Sequence, residues 1–167
     1  MGSRLVHDVA VGLGDAGFRV LRFNYRGVGR SEGSYGHGDG ETDDARAVFD
    51  ALATETQQVP LVLGYSFGGG VACRLATQRK PKRLVLVATP TPLTQSTLVP
   101  TDDAPRVSCP VTLLYGDRDE LAPPAMARVL GAAFHPPVEP LFLPGAAHFL
   151  EPSHNPRALA AILTSLG

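Results

Sequence analysis

The chain has 167 residues, enough for one domain with a full hydrophobic core. An apolar fraction of 44% with 19% charged residues excludes a disordered chain, and a formal net charge of -1 offers no basic face for nucleic acid or an anionic membrane. Two cysteines, Cys73 and Cys109, cannot build a disulfide framework, no apolar run approaches a membrane span, and the start carries no signal pattern, so a cytoplasmic location is expected.

Leu5, Val6, Val9, Ala10 and Leu13 recur at helical spacing, which predicts an amphipathic helix over residues 4–16, ending at Gly14 and Gly17. Residues 18–25 read as a strand, followed by a glycine-rich loop over 26–40. The acidic run Glu41, Asp43 and Asp44 opens a second helix, where acids suit the positive end of the helix dipole. Residues 60–64 are wholly apolar, as in a strand buried on both faces of a parallel sheet. A helix over about 67–79 and a strand over 84–88 follow, then a Thr- and Pro-rich connection over 89–106 with little periodicity. Residues 111–115 form another buried-type strand, 124–133 a helix, 138–143 the last strand and 156–166 a terminal helix. Strands alternating with helices at this spacing predict βαβ units: a single α/β domain whose parallel sheet is covered by helices.

Gly64-Tyr65-Ser66-Phe67-Gly68 is a G-x-S-x-G between a buried strand and a helix. A tight strand-to-helix turn there forces the serine into strained backbone angles and exposes its hydroxyl at the carboxyl edge of the sheet. Ser66 is the candidate nucleophile, and the Phe67 N–H, at the helix start, the candidate oxyanion donor. A hydroxyl needs a base, and the base an orienting acid. Asp119, in Gly116-Asp117-Arg118-Asp119, and His148, in Gly145-Ala146-Ala147-His148, each follow a strand and so fall at the same sheet end as Ser66. Asp117 and Asp119 read equally as a solvated turn or helix cap, and His148 as a loop histidine bonded to backbone. Order and placement together favour the Ser66, Asp119, His148 set. Tyr65, Arg26 and Phe149 are candidate substrate contacts, and Tyr25 and Tyr35 either line a pocket or simply pack. His7, His37, His135 and His154 lack metal-ligand spacing, the loop over 27–40 lacks a phosphate-binding pattern, and Cys73 reads as packed and inert.

The order Ser66, Asp119, His148, with the loop Asn24-Tyr25-Arg26-Gly27-Val28-Gly29-Arg30-Ser31, resembles the α/β-hydrolases. Residues 23–33 and 64–69 particularly resemble the small lid-less bacterial members, and the likeness extends over residues 4–166. It implies an α/β-hydrolase-like parallel sheet of about five strands, and an acid at the second aspartate of Gly-Asp-x-Asp, here Asp119, with Asp117 in reserve. It also implies hydrolysis of an ester, thioester or amide through an acyl-enzyme, without metal or other cofactor. One departure stands out: the family's strands before its first helix, and the loop giving the second oxyanion N–H, are missing. The family's third strand normally lies between residues 18–25 and 60–64, so those two segments are expected to pair directly, to accept a strand from another chain, or to belong to a fragment. Direct pairing leaves an exposed edge at residues 18–25, through which a homodimer could form. Losing one oxyanion donor costs about a hundred- to a thousandfold in rate unless Gly2, Ser3 or a partner restores it.

The expected function is a carboxylesterase cleaving small acyl esters at an open site, because residues 89–106 are too few for a large lid. The alternatives are a weak or inactive scaffold binding a partner or small ligand, and a thioesterase or peptidase using the same three residues.

Overall fold

The computed structural model describes residues 3–166. Helices α1 (Arg4–Asp15) and α2 (Asp39–Thr56) precede β1 (Val62–Tyr65), α3 (Phe67–Gln78), β2 (Leu84–Val87) and α4 (Pro100–Asp103). After these come β3 (Val111–Gly116), α5 (Pro124–Ala133), β4 (Leu141–Leu143) and α6 (Asn155–Leu166). The strands form one parallel sheet in the order β1-β2-β3-β4. Each strand lies beside its predecessor in the same direction, so right-handed crossovers carry the connecting helices to one face.

Side-chain alternation then divides the core. Leu84, Leu86, Leu113 and Tyr115 point to the face covered by α3 and α5, where they meet Cys73, Ala127 and Leu130. Val85, Val87 and Leu114 point the other way, against Leu5 and Val9 of α1 and Ala158 and Ile162 of α6. Every residue of β2 is buried, as befits a strand flanked by strands and covered by helices. Full burial of side chains such as Leu86 and Leu113 stabilises the fold by roughly 1.5–3 kcal/mol each.

Two expectations need correction. The sheet has four strands rather than about five, because residues 18–25 form no strand. They also do not pair with β1: among the described residues no backbone hydrogen bond joins the two segments. Instead a cavity of about 310 Å³ lies between Phe18, Val20 and Leu21 on one side and Leu61 and Leu63 on the other, floored by Val9 and Ile162. A second, of about 120 Å³, opens on the opposite face between Phe23 and Tyr25 and the same β1 segment, floored by Phe49 and Val71. The apolar alternation of residues 18–25 favours extended chain, but a strand exists only where a neighbour completes the ladder. The edge of the sheet on this side is therefore β1, and β4 forms the other. Val62 and Ser66 donate their N–H groups toward β2, to Arg83 and Val87 carbonyls, so by alternation Leu63 directs its N–H to the open side.

The 89–106 connection contains a helix that periodicity did not reveal, α4, begun by Pro100 at its first position. It packs down on α3. Cys73 donates weakly to the Pro100 carbonyl at 3.8 Å, and buried Asp103 receives Arg74 at 2.7 Å and also pairs with Arg106.

Candidate active site

Because β1 ends at Tyr65 and α3 begins at Phe67, Ser66 alone turns the chain from strand to helix. It does so at φ 53° and ψ -121°, a left-handed conformation that costs an L-residue about 1–3 kcal/mol. Two hydrogen bonds hold the strain: the Ser66 N–H donates to the Val87 carbonyl at 2.9 Å, and the Gly69 N–H to the Ser66 carbonyl at 2.8 Å. Glycine is required at 64 because a Cβ there would overlap the Gly68 carbonyl oxygen and lie 2.7 Å from the Gly69 Cα.

Asp119 and His148 reach the same end of the sheet on the loops after β3 and β4. Asp119 is buried, and its Oδ1 accepts the N–H groups of Leu121 at 2.9 Å and Ala122 at 2.7 Å. His148 is 1% exposed; its Nδ1 lies 3.0 Å from both Asp119 carboxylate oxygens, and its Nε2 lies 2.9 Å from Ser66 Oγ. An ionised carboxylate only accepts, so the neutral imidazole carries its proton on Nδ1 and presents Nε2 as acceptor to the serine hydroxyl. Asp117 is engaged elsewhere, accepting the Gly145 N–H at 2.7 Å. The structure thus joins Ser66, His148 and Asp119 in one hydrogen-bonded line and leaves Asp117 outside it.

The other sequence candidates separate by location. Phe67 opens α3, so its N–H belongs to the first turn, where amides lack intrahelical acceptors. Phe149 is 71% exposed and sets its ring edge-on to the His148 imidazole at 5.2 Å. Tyr35 packs against Phe67, and Tyr25 meets Phe67 edge-on at 6.1 Å. Burial, then the charges of Glu41 and Asp44, push the Tyr25 phenol above its ordinary value, so it stays protonated. Arg26 acts as a strut: its Nε, Nη2 and backbone N–H all donate to Asp44 of α2, at 2.7 to 3.1 Å. Those hydrogen bonds hold the Asp44 carboxyl below the usual carboxylate range. The Cys73 thiol is pushed up to about 12 by burial, as an inert core thiol should be. Tyr65 turns toward His148, its hydroxyl donating to the His148 carbonyl at 3.0 Å. Gly2 lies outside the described residues, and Ser3, just before α1, accepts the His7 N–H at its carbonyl.

Residues 2–101 match the family model of the serine aminopeptidase S33 hydrolases. The chain belongs to that family. The match includes Ser66, whereas Asp119 and His148 lie beyond it. An uncharacterised protein of Rickettsia prowazekii is 35% identical over 125 residues, 72% of this chain and 51% of that protein. An α/β serine hydrolase homologue from Coxiella burnetii superimposes with a TM-score of 0.87 at 28% identity, covering 100% of this chain and 78% of that one. An α/β serine hydrolase without a lid, from Xanthomonas campestris, gives 0.84 at 28% identity, with 99% and 73% covered. This S33-family chain spans about half the length of the curated relatives it matches, and its α/β-hydrolase-like fold is truncated relative to the solved neighbours. Among the described residues no helix is long and apolar enough to cross a membrane.

Proposed function

We propose that this chain is a serine hydrolase of the carboxylesterase type, cleaving small, unhindered acyl esters through an acyl-enzyme. The observation that carries the reading is the unbroken line from Asp119 through His148 to Ser66. Ser66 Oγ attacks the ester carbonyl while His148 Nε2 takes its proton, and the carbonyl oxygen becomes an oxyanion facing the Phe67 N–H. As the tetrahedral adduct collapses, His148 returns the proton to the departing alcohol, leaving the acyl group on Ser66. Water, activated by the same imidazole, then releases the acid. Asp119 keeps the ring in the productive tautomer and stabilises the imidazolium as it forms.

The small-ester preference rests on the rim. Phe149 and Leu121 stand exposed beside His148 and Asp119, and the 89–106 segment is drawn down onto α3 by Leu98, which is buried between α2 and α3. A short acyl chain could lie on these side chains without a lid. The test is turnover of p-nitrophenyl acetate and butyrate by the wild-type chain and by Ser66→Ala, where a loss of at least about 10³-fold is expected. Turnover that survives the substitution would overturn the reading. Faster cleavage of the matching thioester or anilide would move the substrate class to those acyl compounds.

A further inference from the structure

The structure assigns Tyr65 a role that its place in the G-x-S-x-G pattern does not announce: we infer that it is a positioning residue for the His148 imidazole rather than a substrate contact. This rests on the serine-hydrolase reading and deepens it. Tyr65 and Ser66 are consecutive, and both hold residue 148. Ser66 Oγ meets the ring at Nε2, at 2.9 Å, while Tyr65 Oη donates to the backbone carbonyl of the same histidine at 3.0 Å. The phenol ring also stacks on the imidazole, with centroids 5.8 Å apart and planes inclined by 29°.

The need for such an anchor follows from the loop. His148 lies in the long connection between β4 and α6. The earlier part of that connection is tied to the turn after β3 through the Arg118 N–H to the Ala146 carbonyl at 3.0 Å and the Gly145 N–H to Asp117. Just beyond, the Leu150 N–H bonds back to the His148 carbonyl at 3.1 Å, which joins the loop only to itself. Tyr65 Oη ties that carbonyl to the strand bearing the nucleophile. Burial, then the Asp119 charge, raise the Tyr65 phenol above its ordinary value, so the donor keeps its proton under working conditions. Removing the hydroxyl leaves the carbonyl one partner, the Leu150 N–H, so the fold loses little while the imidazole gains freedom to leave the serine. Catalysis is steeply sensitive to displacements of that kind.

Tyr65→Phe tests this, because it keeps the stack and deletes only the donor. Ester kinetics and the low-field proton NMR signal of the His148 Nδ1–H are read on both proteins. The expected result is a kcat lowered about tenfold with KM within about twofold, the scale of one hydrogen bond. The low-field signal should broaden as the ring exchanges more freely. An unchanged kcat, a raised KM with kcat intact, or a low-field signal identical to wild type would each overturn the assignment. If the wild-type chain turns over no ester, the carboxylesterase reading fails separately, and the NMR comparison alone decides whether Tyr65 anchors His148.

Discussion

Asp119→Asn is expected to lower kcat for a short-chain ester by about 10³- to 10⁴-fold while leaving the fold intact. The size of the effect comes from which atom faces which. Asp119 Oδ1 accepts two backbone N–H groups, from Leu121 and Ala122, as well as lying against the imidazole. An asparagine would keep its oxygen on those amides and place its NH₂ where Oδ2 now meets His148 Nδ1 at 3.0 Å. That NH₂ donates, which favours Nδ1 as acceptor and the ring proton on Nε2, with Oδ1 already occupied by two backbone N–H groups. The ring then offers Ser66 a donor where it needs an acceptor, and the hydroxyl cannot be deprotonated. Thermal unfolding should show only a small change, since the backbone contacts survive. A kcat within tenfold of wild type would remove Asp119 from the mechanism.

The second large effect is on stability. Gly64→Ala is expected to cost about 3 kcal/mol, near the upper end of overpacking penalties. That corresponds to a fall in Tm of roughly 10 °C for a chain of this size. The added Cβ would meet backbone on the first turn of α3, the carbonyl of Gly68 and the Cα of Gly69, which cannot swing aside as a side chain can. Relief would require α3 to move off β1, carrying Ser66 out of its bonds to Val87 and Gly69. Activity should therefore fall along with stability. A Tm within 2 °C or so of wild type would mean that the turn is looser than its geometry implies.

Much of this site was legible because its signals are local. The glycine at 64 marks a turn too tight for a side chain, and Asp119 and His148 announce themselves by following short apolar runs that read as strands. Likewise α5 (Pro124–Ala133) begins at a proline and carries its apolar residues at helical spacing. What could not be read depended on distant partners. Residues 18–25 alternate like a strand, yet pairing is a property of two segments, and the neighbouring one stands across a cavity. The Tyr65 bond to His148 spans 83 positions and leaves no trace near either residue. Arg26 looked available for substrate until Asp44, 18 positions away, turned out to hold it. Helix α4, only four residues long, is too short to show a period, although Pro100 at its start was a usable sign.

The most direct trial of a serine made nucleophilic by His148 is covalent capture. A fluorophosphonate reacts with an activated hydroxyl and not with an ordinary one, so intact mass followed by peptide mapping should find one adduct per chain, on Ser66. A protein that stays unmodified, or one modified at another side chain, would contradict the account.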